Sequence, residues 1–386
     1  MRKSTAAAAA AAVLAVLMSA AAPAVAGNAP AAAGTSASAA CTPGFTVLPN
    51  LPAEDSWTSG AVRAFGAGDL AVGVSNGRPA YWTGGQAHPV PLPEGHTAGW
   101  VSGVSATGLM VGVVQRGSDQ AQSAFSYRAG QAAVRLLTAP ATAGDLTEPK
   151  VNASGRIVFG EGGVAKEWVE GGPARVLPAP AGLPAGTLTT SVSGINTRGD
   201  VLGTATVRHT DVENDREVTV SNPVVWPAGG YPPQVLQVWT EDDPTVNTVA
   251  SGLDDKGRVV GYEAESYRDV QRRTPATWKR PYDGQPVNPG LPAGLHATLE
   301  AISPTTNVTV GTESTFTEGF ASQERPVYWP GSGPLLTLPV TAGWRTTALA
   351  VSDDGRVGGR TVDPQTVRSS AVVWTCAGKQ AFVPQR

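Results

Sequence analysis

The apolar residues of this chain come in short runs, each closed by a glycine and set off from the next by a turn-forming cluster. Residues 68–73, 108–112, 155–160, 199–203, 257–261, 307–311 and 355–359 share this form, with sequences such as GRIVFG and GRVVG. Each is followed, after a variable gap, by an aromatic that closes a second apolar run: Trp82, Tyr127, Trp168, Trp226, Trp278, Trp329 and Trp374. The aromatics recur about every 49 residues, a period that marks repeat architectures. Runs this short, without a 3.6-residue period anywhere, read as strands.

Each repeat predicts four strands. An alternating stretch such as 192–195 comes first, then a tight turn, the Gly-x-Val-Val-Gly strand, a loop, the Trp strand and a Val-Leu-Pro strand. Asn152, Asn196 and Asp254 open turns that end on Gly155, Gly199 and Gly257, supplying a side-chain acceptor and then a residue that takes positive φ without strain. In the sixth copy Asn307 replaces the glycine, and Asn is next most ready to adopt that conformation. The prolines of Leu48-Pro49, Leu92-Pro93, Leu177-Pro178 and Leu338-Pro339 suit an edge strand, where a missing N–H removes no ladder bond.

Seven four-stranded units predict an all-β fold, a seven-bladed β-propeller of antiparallel blades. A sandwich or an open solenoid also uses short strands, and the discriminator is closure. The expected closure lays an N-terminal strand, 45–49, beside 372–376 in the last blade, with 381–384 as a rival for the slot. The two cysteines, Cys41 and Cys376, bracket the repeats. In a secreted chain one disulfide between them is the expected state. A solenoid would hold them well beyond the roughly 4.4–6.8 Å Cα separation that a disulfide requires.

The chain opens with Met1-Arg2-Lys3, a charge-free apolar stretch over 6–17 and a small-x-small site at Ala24-Val25-Ala26, which together read as a secretory signal peptide over 1–26. Residues 27–44, rich in Ala, Gly, Ser and Pro, are expected to form a disordered leader, and 45–386 a single propeller domain. Beyond the signal no apolar run approaches the roughly 20 residues of a membrane span. With 46 Gly and 32 Pro and only 15% charged residues, the composition favours turns over long charged helices. Losing Arg2 and Lys3 takes the net charge from −3 to −5, so the basic footprint of a nucleic-acid binder is absent. An extracellular monomer with no nucleic-acid partner is expected.

The repeat resembles the bacterial extracellular HAF-repeat proteins, whose units carry an Asn-x-x-Gly turn, a Val-Val-Gly strand and an Ala-Phe-x-Trp-like stretch. Ser123-Ala-Phe-Ser-Tyr127 is the nearest match, and Arg78-Pro-Ala-Tyr-Trp82 and Arg325-Pro-Val-Tyr-Trp329 are divergent forms. The likeness covers nearly all of 45–380, although the His of the motif is replaced in every copy. It implies a secreted propeller and brings no catalytic residues with it.

Chemistry is sparsely written. Gly73-Val-Ser-Asn-Gly77 matches the Gly-x-Ser-x-Gly nucleophile elbow, which works only as a strained strand-to-helix turn; here Asn76-Gly77 is a hairpin dipeptide instead. His88, His96, His209 and His296 form no His-x-x-x-His pair, so no metal, triad or cofactor is expected. Asp254-Asp255 and Asp353-Asp354 precede turn glycines and read as turn residues rather than calcium ligands.

Six of the ten Trp share the strand position that Tyr127 completes, where they fill space between blades. Trp57, Trp100, Trp239 and Trp344 fall in segments that lead from one repeat into the next. Thr97-Ala-Gly-Trp100 and Thr341-Ala-Gly-Trp344 repeat the same four residues, and Trp57, His296 and Trp344 stand equally far before their repeat's turn glycine or its Asn. Crossovers and second-to-third-strand loops share one face of a propeller, and the latter vary most in length: 74–78 against 204–222, 262–273 and 312–325. Loops on a rigid scaffold concentrate binding residues. Trp57, Trp100, Trp344 and His296 are therefore expected to ring one channel mouth and bind a glycan or a peptide in a non-enzymatic interaction module. The alternative is an extracellular hydrolase or lyase using the loop carboxylates Glu213, Asp215, Glu263, Glu265, Glu313 and Glu318, since acid–base work needs a converging pair with separated pKa values. Two such groups beside a His would favour the enzyme. An aromatic floor without titratable pairs favours binding.

Overall fold

The computed structural model describes residues 41–52, 59–142, 144–170, 172–211, 216–239, 246–267, 270–291, 295–317 and 320–384. The signal peptide, the leader up to residue 40, Trp57, Glu213, Asp215 and Glu318 lie outside them. The described residues form seven antiparallel sheets. Their first strands are Gly60–Phe65, His96–Val104, Lys150–Val151, Thr187–Ile195, Val246–Leu253, His296–Ile302 and Arg345–Val351. Each touches the first strands on either side and the contacts close into a ring, so these strands surround the central axis. The fold is a seven-bladed β-propeller. Six blades have four strands, while blade 5 has three and only an isolated bridge from Thr277 to Val287 at its outer edge.

Closure follows the N-terminal route. Gly44–Val47 pairs antiparallel with Ser369–Thr375, Phe45 opposite Trp374, and becomes the outer strand of blade 7. The C-terminal rival goes elsewhere: a bridge from Phe382 to Thr337 attaches it to the outer edge of blade 6. The Cys41–Cys376 disulfide spans a Cα separation of 5.9 Å. Residues 41–44, placed in the leader by the sequence, take part in this closure. Thr375 Oγ1 donates to the Thr42 carbonyl at 2.9 Å and Gln380 Nε2 to that of Gly44 at 3.1 Å. On the lower face Arg356 seals blade 7 to blade 1, its Nη2 donating to the Gly66 carbonyl at 2.9 Å and its guanidinium lying 4.6 Å from the Phe65 ring centre. Among the described residues no helix is long and apolar enough to cross a membrane.

The second glycine of the repeated motif has its own cause. Six first strands carry a one-residue bulge, at Arg63, Ser102, Ser193, Ser251, Glu300 and Leu349. The residue before each bulge pairs with Gly73, Gly112, Gly203, Gly261, Gly311 or Gly359. A Cβ at any of these glycines would collide with a first-strand carbonyl, that of Ala61, Trp100, Ser191, Val249, Thr298 or Thr347. The motif needs glycine there for close backbone approach, not for a turn.

The shared aromatic slot is core: all seven occupants are buried. Trp82, Trp226, Trp278 and Trp374 donate their indole N–H to the carbonyls of Pro49, Pro178, Gln237 and Pro339 at 2.7–2.8 Å. Those acceptors follow the outer strand of the preceding blade. The bonds stitch neighbours together, and the one from Trp82 to Pro49 crosses the ring closure.

Turn side chains do the same on the lower face. Asn152 Nδ2 donates to the Asn196 carbonyl at 3.1 Å, Asn196 Nδ2 to that of Asp254 at 3.0 Å, and the Thr305 N–H to Asp353 Oδ1 at 2.9 Å. Asp254 Oδ1 also accepts the N–H groups of Lys256 and Arg258, so these aspartates act as turn residues. Asp200 Oδ2 accepts from Arg198 and, across blades, from Arg280, each at 2.7 Å. Burial pushes its carboxyl up, but the Ala228 N–H, Asn196 and the two guanidinium groups outweigh this and hold it below the usual 3.8. A carboxyl lowered in the folded state stabilises fully above its unfolded pKa and loses that contribution as pH falls through the folded value. Melting temperature is therefore expected to fall below about pH 4, with a shallower fall in Asp200→Asn. Thermal scans from neutral to acid pH check this, and parallel curves for the two proteins would refute it.

Candidate functional site

The upper face is shaped by the segments read as long loops, which prove to be strand extensions. Val201–Asp211 pairs with Arg216–Trp226 out to Asp211 opposite Arg216. Val259–Tyr267 pairs with Val270–Trp278, and Thr309–Thr317 with Phe320–Trp329, in the same way. Alternating Thr and Val, as in residues 218–220, favour a pleated ribbon over irregular loop. In blade 1, by contrast, the hairpin turns at Asn76 and Gly77, with φ of 50° and 71°. Ser75 of the elbow-like motif is buried there, and its Oγ accepts the Leu51 N–H at 2.8 Å.

Between the ribbon of blade 6 and blade 7 lies a cleft of about 870 Å³. Gln323, Glu324 and Arg325 of the third strand of blade 6 form one wall. The crossover that ends in Trp344 and Arg345 forms another, and the tail at Phe382 and Val383 completes it. Trp344 is half-buried, its N–H held by the Thr341 carbonyl at 3.1 Å. Phe382 and Val383 are 48% and 64% exposed, so much of the apolar lining meets solvent. Arg325 donates from Nη2 to Gln323 Oε1 at 3.2 Å.

The other expected residues stand elsewhere. Trp100 lies inside the first strand of blade 2, opposite Val113, half-buried against the core between blades 2 and 3. The Arg63 guanidinium sits 5.6 Å from its ring centre and pairs with Glu148, which also holds Lys150 at 3.1 Å. Burial pushes the Glu148 carboxyl up, but Lys150 and Arg63 outweigh it and hold it below the usual range. The two Thr-Ala-Gly-Trp segments are thus not structural equivalents. Met110–Arg116 runs on to pair with the first of them, whereas Val357–Val362 stops at Asp363-Pro364, and the second forms a turn. His296 opens the first strand of blade 6, with Nδ1 accepting the Arg273 N–H at 3.2 Å. Burial and the charges of Arg272 and Arg273 lower its pKa. Trp239 packs on the core between blades 4 and 5, and its N–H donates to Glu263 at 2.8 Å.

Of the loop carboxylates, Glu263 and Glu313 are buried within the ribbons rather than set around a mouth. Burial raises the Glu263 carboxyl. Glu300, at the bulge of blade 6, was not singled out by the sequence; burial raises it too, against the Thr298 hydroxyl and Arg273. Its signal was the repeat itself, because Arg63 and Glu300 take a slot that holds Ser in three other blades. Among the described residues no group of His, Cys, Asp and Glu is placed to hold a metal ion.

No protein-family model matches the chain, and no curated protein does. Solved structures share its fold at low identity. The β-propeller domain of the Trilobed protease from Pyrococcus furiosus, which has an open velcro topology, is 9% identical over 84% of this chain and 94% of that one, with a TM-score of 0.54. A gluconolactonase from Xanthomonas campestris is 15% identical over 86% of this chain and 98% of its own, with a TM-score of 0.43. These likenesses concern the propeller alone. Here, unlike an open ring, an N-terminal strand and a disulfide close the last blade.

Proposed function

We propose that this chain is a secreted, non-enzymatic binding module of the HAF-repeat kind, seating an extracellular glycan or peptide on its crossover face. The observation that carries the reading is the cleft beside Trp344, where aromatic and apolar side chains meet two arginines and, among the described residues, the lining holds a single carboxylate, Glu324, and no histidine. Acid–base chemistry needs two titratable groups with separated pKa values; recognition needs an apolar face and a few polar anchors. The hydrolase or lyase alternative has its best footing at Glu300, whose charge acts on Tyr262 and whose strand begins at His296. The Arg273 N–H already occupies His296 Nδ1, so the neutral ring carries its proton on Nε2 and presents a donor, not a base.

Glycan and peptide arrays probed with the mature protein test this reading. Stacking on Trp344 contributes about 0.5–1.5 kcal/mol beyond burial, and burial itself about 1.5–3, so Trp344→Ala is expected to weaken retention at least roughly tenfold. The side chain lies outside the blade cores, so the melting temperature should barely move. Unchanged retention by the variant would remove the cleft as the site.

A further inference from the structure

We propose that the cleft takes an extended peptide segment as an added strand on the open upper edge of blade 6, an inference that rests on the binding reading above. Phe320–Trp329 is the third strand of that blade, and its outer partner, Leu336–Thr337, covers only Val327 and Tyr328. The last outer contact is the Leu338 N–H to the Pro326 carbonyl at 3.4 Å. Along a strand the N–H and C=O of one residue point to the same side, and successive residues alternate. The Pro326 carbonyl faces the outer edge, so the N–H and C=O of Glu324 face it as well. Among the described residues no strand pairs with either, and both stand in the wall of the cleft, beside the aromatic and apolar groups that line it. An exposed pair of backbone groups of this kind is a template for another extended chain.

Blade 6 already takes a further segment on its outer side, one strand beyond this edge. The Phe382 N–H donates to the Thr337 carbonyl at 3.1 Å and the Thr337 N–H to that of Phe382 at 2.9 Å, so the C-terminal tail joins the outer strand at the lower end of the cleft. A bound extended segment takes the place beside Glu324 that Leu336–Thr337 is too short to fill, one strand inward of the tail. The arginines at 325 and 345 outnumber Glu324 in the lining, which selects a segment carrying an acidic side chain. A sugar offers no backbone to pair with Glu324, and a peptide satisfies both the edge and the aromatic face.

The test is an array of 12-residue peptides alternating Val and Thr with one Asp or Glu, their uncharged counterparts, and a set of glycans, probed with the mature protein and three variants. Acidic peptides are expected to be retained, at least tenfold less by Glu324→Pro, and more tightly by Glu324→Gln, which keeps the backbone pair and removes the cleft's negative charge. Pro at 324 removes only an outward N–H, as Pro326 already does. On the peptide side, N-methylation of alternate amides should abolish retention while methylation of the amides between them does not, a readout independent of how the Pro variant folds. Retention insensitive to Glu324→Pro, or no alternation in the methylation series, overturns strand addition. Glycan retention that falls with Trp344→Ala and not with Glu324→Pro overturns it too and leaves the binding reading standing. Retention of neither peptide nor glycan overturns both.

Discussion

Reduction of the Cys41–Cys376 bond, or replacement of both cysteines by Ser, lowers the melting temperature by several degrees while the blades keep their structure. The bond closes a 335-residue separation, for which chain entropy gives roughly 5–6 kcal/mol, against about 2–4 commonly measured. With an unfolding entropy near 2 cal/mol/K per residue over a domain of this size, 2–5 kcal/mol corresponds to about 3–7 °C. The loss begins at the closure, because the outer strand Gly44–Val47 has four residues and rests on its pairing, on Phe45 against Trp374 at 5.2 Å and on the Gln380 side chain. Hydrogen exchange in the reduced protein should therefore rise first in that strand and in Ser369–Thr375, well before blades 2 to 4. An unchanged melting temperature, or two titratable thiols in denatured protein that was never reduced, would rule the bond out as the lock.

The architecture was legible because each repeat carries its constraints locally. A turn glycine such as Gly199, at φ 88°, and its stand-in Asn307, at φ 68°, declare a backbone conformation outright. The buried aromatic slot declares the blade interface. What was misread depends on partners far away in sequence. The glycine at 203 looked like a strand terminus, yet it answers a bulge and the Ser191 carbonyl on the neighbouring strand. The segments after Gly203, Gly261 and Gly311 were read as loops because their length varies most from copy to copy, but each pairs across its own hairpin with residues up to ten or more positions away, a register that no local motif declares.

The site was less legible for the same reason. Trp100 and Trp344 sit in identical tetrapeptides, and only the length of the partner strand decides that one joins a sheet and the other a turn. Glu148 and Arg63, 85 residues apart, meet beside Trp100 without any local motif to announce them. The cleft itself is built from blade 6, a crossover and the tail, and its open edge exists because Leu336–Thr337 is so short. Leu338-Pro339 announces an outer strand but says nothing of how short it is.

Trp226→Ala should destabilise the fold by about 3–5 kcal/mol, far more than Trp344→Ala. The Trp226 ring is 4% exposed and packs against Val158 and Ala165 of blade 3 as well as Val192, Val201 and Val224 of its own blade. Gly203 makes room for it, since a Cβ there would lie 2.9 Å from Trp226 Cζ3. Truncation thus opens a cavity at an interface whose backbone is held by two sheets and cannot collapse to fill it. It also strips the Pro178 carbonyl of its 2.7 Å indole bond, and an acceptor left unsatisfied in the interior adds about 1–3 kcal/mol within that total. Trp226→Phe should recover most of the packing and none of the bond, falling between the two. Urea denaturation reads the differences as midpoint shifts at constant slope. Trp344, with its ring on the cleft and its N–H in a turn, should shift the midpoint little; equal, large losses at 226 and 344 would place Trp344 in the core and take the aromatic face away from the binding site.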